Sequence, residues 1–590
     1  MAGGFSFFRP INSVALAICK NKSMKSVLLL FTSMLCLFGY TQNQLQVYAA
    51  PPAGEITRDD ASNNIFVPLA PPLSGKNDIP ANYTVQQNND FTVKVSSADF
   101  SADNDGNSLF AYTTFTNRGY MDERSKASYV SFGFSGTAYI EVTCNFSSNI
   151  NFEDTGILLI RPQSKGISPY YKKGNVFRFA VSSTGQFCVE VNGQRDRNLQ
   201  IFANPINNYT PLGSNVIIYK SGIHTLKTPP NNNPDGNKIY IKSGAIVIGS
   251  IEAHDNDEIY IEGGGILKGE ITVMNKTNVK IHGHGSIDLT NFKKKYTADE
   301  DDSYQYNNGI EIHNSSNIFI SGITVNDPQL KGLLIVDSES ITIENFKAFT
   351  RVLWGDGIYM TGTSNVTIAN CYLRTADDCI SIYASRRETY NGAPSYKNRN
   401  AQNITVTNTS LYADNSHPVE IGWHGNQEKD NKGNAAQGRN IYNIRFDSID
   451  ILEHFEKWAE PGNEHPEYMG AISINCADGN NCSNMWFTNI NVEDFTRGRL
   501  LSVNVEPAGY GAAVTDGKSV SAIHFENLFY NGSGEKPSSI KGVSRKRMVQ
   551  GVHFKNFRVN GKTITKISDY SEDGKSMIET NRFAKNVSFE

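Results

Sequence analysis

The 590-residue chain is poor in tryptophan (4), methionine (10) and cysteine (8), and only 19% of it is charged. Beyond the first fifty residues, the six cysteines Cys144, Cys188, Cys371, Cys379, Cys476 and Cys482 are too scattered for a disulfide-built scaffold. They also lack the CxxC or Cys/His spacing of a zinc site. Cys476 and Cys482 alone are near enough in sequence to close a short loop. Net charge is −4 and no basic block occurs, which argues against nucleic acid as a partner. After Tyr40 no apolar run of membrane-spanning length remains. Before it, Lys20, Lys22 and Lys25 precede the apolar run from Val27 to Tyr40, and small residues follow at Ala49 and Ala50. This is a signal-peptide pattern over residues 1–50, with Met24 an alternative start. It leads us to expect a secreted, extracellular protein that is free of the membrane once the leader is removed.

Glycine (49) and asparagine are abundant, a mix that favours strands and turns over long helices. The chain reads as all-β in two parts. Residues 51–225 alternate short strands with turn breaks, as in Ala138–Val142, Gly156–Ile160 and Phe187–Gly193, and predict an antiparallel β-sandwich. Residues 226–590 carry a ten-residue phrase, apolar at positions 1, 3, 6 and 8, often with Asn or Gly at position 5. Copies start at Ile318, Ile341, Val366, Ile404, Ile444, Met485, Ile523 and Val552, with shorter relatives at Ile239, Ile259 and Val279. Alternation runs, skips one residue and resumes, which describes a strand, a bend and a second strand. Steps of 20 (239 to 259), 23 (318 to 341) and 25 (341 to 366) suit one coil of a right-handed parallel β-helix. The 38-residue step from 366 to 404 implies a coil with a long loop or an extra strand. A leucine-rich solenoid is the structural rival, but leucine is sparse and the LxxLxL phrase is absent.

Within this repeat, Ile358 and Ile380 are equivalent inward positions 22 residues apart, and Asp356 and Asp378 share that offset. The two aspartates are therefore expected to stack on neighbouring coils, about 4.8 Å apart, with Asp377 beside Asp378. Crowded carboxylates repel, so one is expected to keep its proton near neutral pH. A general acid beside a general base is what hydrolysis of a glycosidic bond requires. Two other readings of the trio stand at this level: a Ca²⁺ site, or plain turn residues. The stretch from Ser416 to Gly425 holds the same strand position one coil later. It places His417, Glu420 and Trp423 beside the aspartates, with Trp354 and Tyr383 on the aspartate-bearing strands. These five, together with Arg386, are the candidate substrate-binding residues; the aromatic rings can stack on sugar faces.

The run Ile320–Gly425 resembles the clan of polygalacturonases (glycoside hydrolase family 28) and of dextranases with isopullulanases (family 49). The resemblance rests on Ser321–Pro328, on Asp356-Gly357 and on Asp377-Asp378. It implies that Asp377 is the general acid, that Asp356 and Asp378 hold and activate the water, and that the anomeric carbon is inverted. Asp378–Tyr383 followed by His417–Trp423 looks like the dextranase equivalent, and Leu199–Pro205 looks like the end of the dextranase N-terminal domain. The polygalacturonase Arg-x-Lys motif has no match after His417, and Gly-His-Gly appears only as Ser416-His417-Pro418. The expected substrate is a neutral α-glucan, most simply α-1,6-linked, acted on by a monomer without cofactor or metal. A polygalacturonase-like pectin hydrolase and a non-catalytic carbohydrate-binding β-helix are the rivals.

Overall fold

The computed structural model describes residues 43–52, 85–118, 125–146, 150–213, 215–227, 233–290, 292, 307–352, 354–384, 399–424, 439–456, 470–509 and 515–590, with the backbone of 388–390 and 393–395. The charged and apolar parts of the leader pattern lie outside these residues. Among the described residues no helix is long and apolar enough to cross a membrane.

Two sheets form the N-terminal part. One contains Gln44–Val47, Tyr112–Thr116, Ser125–Ser135, Leu158–Arg161, Gly185–Val191 and Leu199–Pro205; the other is built around Phe91–Ser96, Ala138–Cys144 and Val176–Val181. Alternation along Ala138–Cys144 buries Ala138, Ile140, Val142 and Cys144. These side chains meet Val130, Phe132, Val189 and Ile201 of the facing sheet in one apolar core. Pairing is antiparallel throughout, except where Leu199–Pro205 runs parallel to Ser125–Ser135. The edge strand Gln44–Val47 pairs with Phe132–Ser135, so packed chain starts ahead of residue 51.

Parallel pairing begins at Val216–Tyr219 and continues to the C-terminus. The phrase copies stack in register: Ile318 on Ile341, Ile341 on Val366, Val366 on Ile404, and so on to Ile523 on Val552. The shorter copies differ in phase: Ile259 pairs with Ile281, making that coil 22 residues, because Ile239 and Ile259 correspond to position 3 of the phrase and Val279 to position 1. The 38-residue step contains an extra antiparallel hairpin, Glu388–Tyr390 with Ala393–Ser395. Position 5 explains the break in alternation. Gly322, Asn345, Asn370, Asn408, Asn489, Asn527 and Asn556 all have positive φ, a left-handed turn that glycine and asparagine tolerate best. These asparagines also form ladders, such as Asn408 Nδ2 to Asn370 Oδ1 at 2.6 Å. The six cysteines are buried and free, so Cys476 and Cys482 do not close a disulfide loop. Instead the Cys476 thiol meets the Asn480 carbonyl oxygen at 3.0 Å.

Candidate active site

The third strand of each coil forms an eleven-stranded parallel sheet, which includes Leu333–Val336, Ile358–Thr361, Ile380–Tyr383 and Val419–Ile421. Leu333 pairs with Ile358, Ile358 with Ile380, and Ile380 with Val419. Counting back two residues from each gives Lys331, Asp356, Asp378 and His417 in one row across four coils. Backbone hydrogen bonds extend the pairing into these turns: Gly332 N to Asp356 O at 2.8 Å, Gly357 N to Asp378 O at 2.9 Å and Cys379 N to His417 O at 2.9 Å. Gly357 is needed for this approach, because a Cβ there would lie 2.6 Å from the Cys379 carbonyl oxygen.

The expected convergence of Asp356, Asp377 and Asp378 is present. Each offers a carboxylate oxygen within 4.8 Å of the others. Asp378 is held by five donors: Ser416 Oγ (2.8 Å), His417 N (3.1 Å) and His417 Nδ1 (2.8 Å) on Oδ1, and Ser381 Oγ and Tyr383 Oη (3.3 Å each) on Oδ2. Burial would push its carboxyl up, but these hydrogen bonds and the His417 charge hold it below its ordinary value. Asp377 goes the other way. Burial, then Asp378 and Asp356, push its carboxyl well above the ordinary range, with Lys331 and His417 opposing. The arrangement thus separates two neighbouring carboxyl groups into a proton carrier and an anion.

His417 is fully buried. Its Nδ1 faces Asp378, and its Nε2 lies 2.7 Å from Glu456 Oε2. Burial would lower its pKa, but Glu456 and Asp378 raise it well above the ordinary value, so the ring is an imidazolium. Glu420, also fully buried, is raised well above the carboxylate range by burial and stays protonated; its Oε2 is 3.7 Å from His417 Nδ1. His417 and Glu420 are therefore both buried, with the imidazole packed against Asp378. Tyr383 is wedged between Tyr359 and His424. With Leu334, Val336, Tyr359 and Trp423 it forms an apolar cluster on the outward face of the sheet. Trp354 is half-buried with φ 59°, a strained conformation for a bulky side chain, two residues before Asp356. Arg386 lies outside the described residues.

Three residues were not anticipated. Lys331 Nζ is 3.4 Å from Asp356 Oδ2, 3.1 Å from the Trp354 carbonyl oxygen and over the Tyr359 ring. Its signal was available, since Lys331-Gly332 precedes Asp356-Gly357 by 25 residues, the step already seen from Ile341 to Val366. Ser416 could have been found beside His417. Glu456 carries no repeat signal.

Residues 239–444 match the model of glycosyl hydrolases family 28. The part of the β-helix that carries the row of aspartates is thus similar to the glycosyl hydrolases of family 28. Among solved structures, Dex49A from Penicillium minioluteum is 13% identical, with a TM-score of 0.54 over 86% of this chain and 95% of that one. This likeness shows the fold. The family 28 exopolygalacturonase of Yersinia enterocolitica is 11% identical, with a TM-score of 0.44 over 77% of this chain and 96% of its own. No curated protein matches the chain in sequence. The trio lies on the part of the β-helix that the family model covers.

Proposed function

We propose that the protein is a secreted, inverting hydrolase of a neutral α-glucan, most simply α-1,6-linked. Asp377 protonates the leaving glycosidic oxygen, while Asp356 and Asp378 hold and deprotonate the attacking water. The observation that carries this reading is the opposite perturbation of adjacent carboxyl groups, Asp377 upwards and Asp378 downwards.

A neutral sugar is favoured by the charge balance. Among the described residues, Lys331 is paired with Asp356, and His417 lies between Asp378 and Glu456. A uronate carboxylate needs a cation of its own. The resemblance of Asp378–Tyr383 and His417–Trp423 to dextranases points the same way. Secretion is supported by the leader pattern of residues 1–50.

The test is a panel of dextran, pullulan, α-1,3-glucan and polygalacturonate, assayed for reducing ends with the wild-type protein and Asp377→Asn. Cleavage of an α-glucan that disappears in folded Asp377→Asn is the expected result. Cleavage of polygalacturonate alone would exclude the glucan, and undiminished activity in the variant would exclude Asp377 as the acid.

A further inference from the structure

Among its contacts with the β-helix, the N-terminal sandwich forms one corner at the back of the site. The strand Tyr112–Thr116 ends there, and the residues at and just beyond its end contact three separate turns of the β-helix. Phe115 lies under the Arg351 guanidinium, 4.2 Å from the ring centroid, and Arg351 Nε is 2.8 Å from Asp327 Oδ1. Asn117 Nδ2 donates to the Arg351 carbonyl oxygen at 2.9 Å, and the Asn117 carbonyl oxygen accepts from Asn415 Nδ2. Arg351 begins the turn that leads to Asp356, and Asn415 directly precedes Ser416 and His417. One buried asparagine of the sandwich thus joins the two turns that flank Asp377 and Asp378.

Arg118 and Arg195, also from the N-terminal part, converge on Glu453, a fully buried carboxylate, with Arg118 Nη2 at 3.1 Å from its Oε2. Glu453 in turn accepts from the backbone N–H groups of His454 (3.0 Å) and Thr496 (2.8 Å). His454 Nδ1 meets the Ser416 carbonyl oxygen at 2.9 Å, and two residues further on Glu456 holds His417. Contacts therefore run from Arg118 through Glu453 and His454 to Ser416, and through Glu456 to His417.

We propose that the sandwich is a working part of the active site, in which Asn117, Arg118 and Arg195 act as positioning residues for the Asp378–His417 pair. An independent carbohydrate-binding module would have no reason to place its buried polar groups behind the aspartates. None of the three residues touches the substrate; the Asn117 side chain acts through the turn that Arg351 begins, and Arg118 and Arg195 act through Glu453, His454 and Glu456. The inference rests on the proposed reading of Asp378 as a reacting group.

The experiment compares full-length Asn117→Ala and Arg118→Ala with Phe179→Leu, which disturbs the sandwich core far from this corner. Expected are a kcat lower by roughly ten- to a hundredfold in the first two with KM within about twofold, and a lowered Tm with unchanged kcat in Phe179→Leu. Arg118→Lys is expected to recover part of the loss. A second readout needs no substrate: the ring ¹⁵N signals of His417, assigned with His417→Gln, shift in Asn117→Ala and Arg118→Ala but not in Phe179→Leu. An unmoved His417 signal with kcat equal to that of Phe179→Leu would overturn the proposal. So would a raised KM at constant kcat, the mark of a binding module. Failure of the wild-type protein to cut any polysaccharide would instead remove the proposed function, while the His417 signal would still report the coupling.

Discussion

Asp378 and His417 occupy the same position of successive coils, and the imidazole Nδ1 lies 2.8 Å from the Asp378 carboxylate oxygen. The ring is charged because Glu456 faces its other nitrogen. The charge keeps Asp378 ionised, and with it a base available next to the protonated Asp377. His417→Gln keeps a hydrogen-bonding group but removes the cation. Asp378 would then ionise at higher pH, so the ascending limb of kcat/KM against pH is expected to move up by about one unit or more. The three carboxyl groups titrate together, so the limb reports the trio rather than one residue. A profile identical to the wild type would show that His417 does not set the base.

Lys331 is the corresponding cation on the other side of the row, against Asp356. It also opposes the upward shift of Asp377. Lys331→Met preserves much of the side-chain volume and removes the charge. Expected are a kcat lower by roughly tenfold or more and a descending limb displaced to higher pH, because Asp377 then holds its proton longer. A fall in kcat without displacement of that limb would restrict Lys331 to packing over Tyr359.

The row that contains both cations also shows what the sequence could reveal. Coil spacing alone placed Asp356 over Asp378, since the β-helix repeats its backbone with each coil and the 22-residue offset survives folding intact. Lys331 obeyed the same arithmetic one coil earlier. His417 falls in the row and Glu420 on the strand that follows it, but their depth could not be read, because strand alternation gives the face of a sheet and not what covers it. Glu456 was illegible for another reason: it comes from an irregular turn after Asn440–Glu453, where repeat spacing has no hold. The corner at Asn117 was hidden likewise, since contacts between two separately folded patterns leave no periodic trace in either.

Lys347 bears on stability rather than chemistry. It is buried between the β-helix and the sandwich, where its Nζ meets Asn204 Oδ1 at 2.7 Å. Burial lowers its pKa from 10.5 to about 7. The unfolded chain therefore binds more protons between about pH 7 and 10.5, so this group makes stability rise with pH through that window, and its penalty is fully present below about pH 7. Lys347→Met is expected to stabilise the protein, on the order of 1–4 kcal/mol at pH 6, with a smaller gain at pH 10. Thermal melts at both pH values check this, and an equal or larger gain at the higher pH would contradict the assignment.

The spacing of the carboxylates bears directly on the stereochemistry. Their nearest oxygens lie within 4.8 Å, closer to the separation of about 5–5.5 Å associated with a covalent glycosyl intermediate than to the roughly 6.5–9.5 Å that leaves room for water. Taken alone, that distance would favour retention. The trio differs from a simple pair, however, because two carboxylates, Asp356 and Asp378, stand on adjacent coils beside one protonated acid. Two anions side by side can hold a water between them, whereas a single nucleophile would have no use for the second. Inversion is therefore expected: ¹H NMR during the first minutes of α-glucan hydrolysis should show the β-anomer appearing before mutarotation. Initial release of the α-anomer would instead make Asp356 or Asp378 a nucleophile, and a covalent glycosyl adduct on one of them should then be trapped and seen by mass spectrometry.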